Sequence, residues 1–282
     1  FVIISKSASL TSKTCPIITP ILNPVIMYIS TCVYKIIKIK HIHLLPPIPS
    51  TKGDEILEIT PSILTADFCN IGKTLDDAIN AGIKWIHMDV MDGNWVINKT
   101  ITFGPALIQS TRNHLGPNIF IDCHLMINNA EETWKQYADA GVDMIIAHFE
   151  AVNDFEKLIK NIHDYGIEIG CVINPSTDAS KITHLIPHLD LILIMSVIPG
   201  KGGQSFMPEV ESKVRYFRNI IDNQISSGGH ETKLMIDGGI KSHNAKIVSD
   251  WGVDIAVVGS GLINEQGSIK SNLNSILSAI KK

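Results

Sequence analysis

The first 53 residues of the 282-residue chain contain no arginine, no aspartate and no glutamate. Their six lysines give this segment a charge of +6, whereas residues 54–282 carry 18 basic and 28 acidic side chains, a net charge of −10. A transit peptide is usually rich in arginine, and a secretory signal needs a compact apolar core before a cleavage site, which is not evident here. The shift in composition predicts an extension over residues 1–53 and a catalytic domain over 54–282.

The extension also lacks an uninterrupted apolar stretch. The uncharged segment between Lys13 and Lys35 is long enough to span a bilayer, but Pro16, Pro20 and Pro24 each break the helical hydrogen-bond ladder. We expect residues 1–53 to be disordered and to be either a segment outside the functional protein, a targeting segment or a membrane anchor. We expect no membrane association of the domain that follows.

Cysteine and charge are both scarce. The five cysteines are scattered without a CxxC pair, so no disulfide framework is predicted, and Cys123 and Cys171 lie in apolar runs typical of buried thiols. Only 18% of the residues are charged and the net charge is −4, which argues against a nucleic-acid-binding surface. No GxGxxG motif follows the first apolar run, so a dinucleotide site is not indicated.

What the chain does contain is a repeated unit, in which a short apolar run precedes a helical pattern. There are eight such runs from residue 58 onwards: Glu58–Leu64, Lys84–Val90, Ile119–Leu125, Asp143–Phe149, Ile167–Ile173, Asp190–Ser196, Lys233–Asp237 and Asp254–Gly259. Apolar strands alternating with helices indicate a parallel sheet covered by helices. Eight units in about 225 residues favour a closed (β/α)8 TIM barrel over a doubly wound open sheet.

Polar residues cluster where these predicted strands end, which is where barrels of this kind place their chemistry. His87 and Asp89 share one face of the second strand, His124 lies at the end of the third, and Asp237 ends the seventh. Imidazoles and carboxylates together suit a divalent transition metal, and two inward carboxylates would repel each other without a cation. His148, at the end of the fourth strand, is as compatible with a structural role as with this site.

Two further patterns lie at the same strand ends. Met91, Met126 and Met195 are placed to form a dry lining of the site, although methionine is ordinarily core filler. Glycine-rich loops follow the sixth, seventh and eighth predicted strands, and such loops hold phosphate through backbone N–H groups. Their glycines and neighbours are Gly200, Lys201, Gly202, Gly203, Gly238, Gly239, Gly259 and Ser260.

The chain resembles the ribulose-phosphate 3-epimerases over residues 56–280. The His87–Gly93 run, His-Met-Asp-Val-Met-Asp-Gly, is the most specific match, and six other segments match in order. These are Ile59–Phe68, Asp122–Met126, Asn174–Pro175, Gly200–Gln204, Asp237–Ile240 and Gly259–Ser260.

The resemblance implies a ribulose-phosphate-binding barrel that interconverts D-ribulose 5-phosphate and D-xylulose 5-phosphate in the pentose phosphate pathway. His87, Asp89, His124 and Asp237 would bind one divalent metal, Zn2+ in the first place, with Fe2+, Mn2+ and Co2+ as alternatives. Asp89 and Asp237 would be the two acid/base catalysts at C3, with a metal-stabilised enediolate between them. The sugar phosphate would contact Ser62, His124, Met195, Gly200, Lys201, Gly202, Gly203, Asp237, Gly238, Gly239, Gly259 and Ser260.

The resemblance also implies a homo-oligomer, a dimer or a hexamer. The predicted location is the cytoplasm, or a plastid or other organelle if residues 1–53 are a targeting segment. The chain departs from the family at Asn94–Thr100, a loop about two residues longer than usual and without proline, which we expect to close over the site. It departs again at Ile198 and Lys201, and we expect Lys201 to add a positive charge near the phosphate.

Two alternative functions are compatible with the same barrel. One is an epimerase of a six-carbon ketose phosphate, allulose 6-phosphate. The other is a sugar-phosphate lyase or decarboxylase, but such enzymes commonly use an Asp-x-Lys-x-x-Asp arrangement, and the His87–Asp89 segment contains no lysine. A barrel that binds sugar phosphate without converting it is disfavoured by the complete set of four ligand-type side chains.

Overall fold

The computed structural model describes residues 57–281. The predicted extension over residues 1–53 and the boundary at residue 53 therefore lie outside the described residues. Within 57–281, no helix combines the length and the hydropathy needed to cross a bilayer.

Eight parallel strands form one sheet that curls into a barrel, as predicted. From β2 to β8 each strand pairs with the next along the chain, β1 pairs with β8, and an isolated parallel bridge links Ser62, just after β1, to His87 of β2. The strands are β1 (Glu58–Pro61), β2 (Trp85–Met91), β3 (Phe120–Met126), β4 (Met144–His148), β5 (Glu168–Ile173), β6 (Leu191–Met195), β7 (Lys233–Asp237) and β8 (Ile255–Val258). The chain therefore has the (β/α)8 architecture.

Helices connect successive strands and cover the outside of the sheet. The α-helices in the described residues are α1 (Ile71–Asn80), α2 (Pro105–Leu115), α3 (Ala130–Asp139), α4 (Phe155–Tyr165), α5 (Glu211–Ser226), α6 (Ala245–Asp250) and α7 (Ile269–Ile280). Helix α4 packs against the sheet through one buried face. This face contains Leu158, Ile159 and Ile162, which are spaced three and four residues apart. The left-handed Gly166 (φ 91°) ends α4, as its position after Tyr165 predicts.

The structure differs from the sequence-based expectation in two places. The first strand ends at Pro61 rather than Leu64, because the Ser62 hydroxyl accepts a hydrogen bond from the Leu64 N–H and begins a 3-10 turn. Between β5 and β6 the connection is a 3-10 helix, Ala179–His188, and Pro187 lies inside it. Proline cannot donate to the helical ladder, which explains why a regular α-helix does not form there.

The core has two layers separated by the strands. Inside the barrel, Met144, Ile146, Val172, Leu191 and Leu193 fill the lower part, and each is fully buried. The larger layer lies between the strands and the helices, and it includes Cys123 and Cys171, both fully buried as predicted. Apolar packing thus occupies the lower barrel and leaves the carboxyl ends of the strands for polar side chains.

Candidate active site

Strand register places the polar side chains of β2 and β3 at matching heights inside the barrel. His87 pairs with Asp122, Asp89 with His124, and Met91 with Met126. Because strand side chains alternate between the two faces, all six point inward and form three successive levels. The lowest level contains the predicted ligand His87 beside Asp122, the middle level contains the predicted ligands Asp89 and His124, and the upper level is apolar.

The four predicted metal ligands meet at the middle of this arrangement. One nitrogen or oxygen from each of His87, Asp89, His124 and Asp237 lies within 4.8 Å of those of the other three. Oδ1 of Asp89 is 3.2 Å from Nε2 of His87 and 3.0 Å from Nδ1 of His124. The two histidines therefore direct different ring nitrogens towards the same carboxylate.

Burial and neighbouring charges push the pKa values of the two carboxyls in opposite directions. Burial and the Asp89 carboxylate raise the pKa of Asp237 to about 7. Burial alone would also raise the pKa of Asp89, but His87 and the hydrogen bonds from His124 and His87 outweigh it and lower that pKa. Near neutral pH the site thus holds one firmly ionised carboxylate and one that exchanges a proton readily.

Each of these groups has an additional polar partner. The hydroxyl of Ser62 donates to Oδ2 of Asp89 at 2.5 Å, and this bond stabilises the ionised form. Nδ1 of His87 lies 2.8 Å from Asp122 Oδ1, while the indole N–H of Trp85 donates to Asp122 Oδ2 at 2.6 Å. Despite burial, which lowers it, the pKa of His87 is raised because Asp122 and Asp89 both face the ring.

His124 has a second imidazole on its far side. Its Nε2 lies 2.9 Å from Nε2 of His148, whose Nδ1 is 3.2 Å from Oε2 of Glu150. Burial lowers the pKa of His148 to about 4. Burial would raise the pKa of Glu150, but hydrogen bonds from His148, Thr177 and the Asn174 N–H lower it to about 2. A neutral imidazole thus lies between His124 and an ionised carboxylate.

A cleft above these residues is lined by the glycine-rich loops. It is bordered by the predicted substrate-contact residues Ser62, Met195, Gly200, Lys201, Gly202, Gly203, Asp237, Gly238, Gly239, Gly259 and Ser260, and by Met91 and Met126. His87 and His124 are fully buried beneath it. The structure therefore brings the predicted ligands, lining and loop residues together at one end of the barrel.

Glycine is required at position 239 of this cleft. Its φ of 67° is left-handed, and a Cβ there would lie 2.5 Å from the backbone nitrogen of Phe206. The neighbouring loop is fixed by Ser196, whose hydroxyl donates to the Gly238 carbonyl at 2.8 Å. The loops after β6 and β7 consequently approach each other closely, with their backbones exposed to the cleft.

The loop after β2, Asn94–Thr100, contacts residues on two sides of the cleft. The ring of Trp95 lies 4.1 Å from that of His148 between centroids, and Val96 is buried with Met91 and Met126. On the other side, the Asn98 side-chain amide donates to the Gly200 carbonyl at 2.8 Å. The loop thus connects the end of β4 with the glycine-rich loop after β6.

The donor set fits a divalent metal ion. Two imidazoles and two carboxylates converge in a buried space, and the raised pKa of Asp237 reflects negative charge that a cation there would neutralise. Asp122 faces the ring nitrogen of His87 that points away from this space, an arrangement common among metal-binding histidines.

Comparison with known proteins decides the family. Residues 58–263 match the model of the ribulose-phosphate 3 epimerase family. The chain is 35% identical over 226 residues to the ribulose-phosphate 3-epimerase of Schizosaccharomyces pombe, covering 79% of this chain and 95% of that protein. It is 37% identical over 224 residues to that of Escherichia coli, covering 79% and 96%. The chain belongs to the ribulose-phosphate 3-epimerase family.

Solved structures agree on the fold of this family member. A crystal structure of 3-hexulose-6-phosphate synthase superposes with a TM-score of 0.59 at 12% identity, covering 79% of this chain and all of that one. At that identity the likeness shows a shared barrel only.

Sequence reasoning missed several polar partners within this epimerase-family site. It assigned no role to Asp122, Trp85 or Glu150, and it left His148 undecided. Period-two alternation could have indicated Asp122, which lies two residues before His124 and so shares its inward face. Contacts such as that of Trp95 with His148 join residues 53 positions apart in loops, where no periodic pattern predicts them.

Proposed function

We propose that this chain interconverts D-ribulose 5-phosphate and D-xylulose 5-phosphate by moving a proton at C3. The observation that carries the proposal is the meeting of Asp89 and Asp237 beside a glycine-lined cleft, with their pKa values displaced in opposite directions. Inverting a carbon next to a ketone requires removal of its proton from one face and delivery of a proton to the other. Two carboxyls with opposite proton occupancy can perform those two steps.

Asp89 is the ionised partner and would remove the C3 proton of one epimer. Asp237 would deliver a proton to the opposite face, and the reverse reaction would exchange these roles. The two carboxyls come from β2 and β7, which are not neighbours in the sheet, so they reach the cleft from different parts of the barrel wall. Met91, Met126 and Met195 neither donate nor accept protons strongly, so they would limit exchange with solvent.

We propose one divalent metal ion, Zn2+ in the first place, held by His87, Asp89, His124 and Asp237. Such an ion acts as a Lewis acid towards developing oxygen charge. The protein itself supplies the backbone N–H groups around Gly238, Gly239 and Gly259 for the phosphate. These local donors matter because residues 54–282 carry a net charge of −10, which opposes an anionic substrate.

A coupled assay with ribulose 5-phosphate on the metal-loaded protein tests the proposal. Wild-type protein should form xylulose 5-phosphate and incorporate deuterium at C3 in D2O, and Asp237→Asn should lose at least about 100-fold in kcat. Asp250→Asn, at the exposed end of α6, is the matched control and should retain full activity. Absence of wild-type activity with every divalent metal tried would contradict the proposal.

The same assay distinguishes the alternative functions. A lyase or decarboxylase would cleave a carbon–carbon bond and release a smaller product, whereas an epimerase conserves all carbons. An epimerase of six-carbon substrates would show a higher kcat/KM for allulose 6-phosphate than for ribulose 5-phosphate. We also expect a homo-oligomer, which light scattering would show as a multiple of the 31.0 kDa chain.

A further inference from the structure

We propose that Asn98 is a positioning residue that holds the β6 loop, residues 198–204, at the edge of the cleft. The inference deepens the proposed function, because it relies on this loop contacting the sugar phosphate. Residues 199–204 line the cleft, whereas Asn98 lies outside its lining. Any effect of Asn98 on the substrate is therefore exerted through the β6 loop.

A single hydrogen bond joins the β6 loop to another segment. The side-chain amide of Asn98 donates to the Gly200 carbonyl at 2.8 Å. A carbonyl can only accept, so the NH2 group of Asn98 must face it. Gln204 donates to the Ile198 and Lys201 carbonyls, but both of these lie within the loop. Within residues 57–281, no other hydrogen bond connects the β6 loop to a different segment.

The contact between Asn98 and Gly200 is also closely packed. Gly200 is buried, although Ile198 and Lys201 on either side of it are exposed. A Cβ at position 200 would collide with Oδ1 of Asn98. The Asn98 side chain therefore lies directly over Gly200 and occupies space that a larger residue would fill.

Asn98 is presented to the β6 loop by a tight turn. The Lys99 N–H donates to the Val96 carbonyl at 3.1 Å, which places Ile97 and Asn98 at the tip of this turn. Lys99 has a φ of 58°, a left-handed conformation that few residues other than glycine adopt. Such strain persists where surrounding contacts hold it, and it is concentrated at functional sites.

The base of the loop after β2 is fixed independently of Asn98. Oδ1 of Asp92 accepts hydrogen bonds from the Asn94 N–H at 2.7 Å and from the Trp95 N–H at 2.9 Å. Val96 is buried above them. Loss of the Asn98 amide should therefore release the β6 loop and leave the loop after β2 in place.

The β6 loop lies beside the backbone that we propose for the phosphate. A Cβ at Gly202 would lie 2.9 Å from Cγ2 of Thr65, and a Cβ at Gly259 would lie 3.0 Å from the same atom. Thr65 therefore lies between the β6 loop and Gly259. When only a fraction of the molecules hold the β6 loop in position, the apparent affinity for the phosphate falls by that fraction.

Limited trypsin digestion tests the positioning without reference to catalysis. Asn98→Leu removes the donor at similar size and Asn98→Ala removes the side chain. Both should speed cleavage after Lys201 by about 2- to 10-fold, the range expected for one lost hydrogen bond. Ile97→Ala is the matched control, since Ile97 is 82% exposed at the same turn, and it should cleave at the wild-type rate. Cleavage after Lys160, within α4, reports opening of the barrel and should not change in any variant.

Affinity provides the second measurement. In both Asn98 variants, KM for ribulose 5-phosphate and Kd for inorganic phosphate, measured by calorimetry, should rise by about 2- to 10-fold. The kcat should stay within about twofold, because no group that faces C3 is altered.

Three outcomes would overturn the inference. The first is cleavage after Lys201 at the wild-type rate in both Asn98 variants. The second is faster cleavage with unchanged affinity for phosphate, and the third is equal acceleration after Lys160. A protein that fails to convert ribulose 5-phosphate, but whose Asn98 variants show the expected changes in cleavage and phosphate affinity, would contradict only the proposed function.

Discussion

Ser62→Ala should raise the pKa of Asp89 and so shift the acidic limb of the kcat profile. The Ser62 hydroxyl donates to Oδ2 of Asp89 at 2.5 Å, and both side chains are almost completely buried. A hydrogen bond to a charged group contributes about 1.5–3 kcal/mol. That free energy corresponds to about one to two pKa units.

The sign of the pH effect follows from which form the bond stabilises. Ser62 donates to the ionised carboxylate, so its removal raises the pKa of Asp89. A smaller fraction of Asp89 is then ionised at any given acidic pH. The acidic limb of the kcat profile should therefore move to higher pH by about one to two units.

Steady-state kinetics against pH distinguish this role from direct substrate contact. If Ser62 served mainly to hold the sugar phosphate, Ser62→Ala would raise KM and leave the acidic limb in place, and the reasoning above would be wrong. Thr60→Val is the matched control, because Thr60 lies on the same strand and its buried hydroxyl donates to the Trp85 carbonyl at 2.9 Å. It should cost stability without moving the limb.

Three further perturbations have defined outcomes. Arg112→Met should lower the free energy of unfolding in urea by about 3 kcal/mol, because the buried guanidinium donates hydrogen bonds to Asp143 and to three backbone carbonyls. Arg215 is exposed, so the control Arg215→Met should lower it by less than about 0.5 kcal/mol. Burial, Asp190 and Asp143 raise the pKa of Glu168 in the folded protein from 4.5 to about 7. Protonated Glu168 therefore favours the folded state at low pH, and this contribution to the free energy of unfolding is lost as the pH rises from about 4.5 to about 7. Glu168→Gln should reduce the loss between about pH 5 and pH 8 by about 1 kcal/mol, because solvent screens the part of this side chain that remains exposed. Lys201→Ala should raise KM and flatten its dependence on salt, and an unchanged salt dependence would show that this lysine does not attract the phosphate.

The sequence was sufficient to predict the barrel and the four clustered side chains because both depend on local periodicity. Apolar runs spaced by helical patterns indicated eight strands, and alternation within β2 placed His87 and Asp89 on one face. The end of β1 was wrong by three residues because a single side-chain hydrogen bond, from the Leu64 N–H to the Ser62 hydroxyl, replaced strand pairing. Such a bond is specified by one residue rather than by a pattern.

Alternation places Asp122 on the inward face of β3, but it does not predict which ligand candidate each polar partner contacts. Asp122 meets His87 because β2 and β3 are in a particular register, and a shift of one residue would have placed Asp122 against the helices instead. The contact between Asn98 and Gly200 joins residues 102 positions apart in the chain. Neither the register of two strands nor a contact between distant loops produces a periodic pattern in the sequence.

Because β2 and β3 pair in this register, inward-facing residues two positions apart lie at successive depths in the barrel and have different roles. His87 and Asp122 form the lowest level, where a carboxylate faces the outer nitrogen of a ligand; Asp89 and His124 form the middle level. Met91 and Met126 lie above them, next to the cleft. All three levels are formed by the same two strands. A shift of one residue in the pairing of β2 with β3 would therefore turn inward-facing side chains outward at every level. The geometry of the site is therefore as stable as the pairing of β2 with β3.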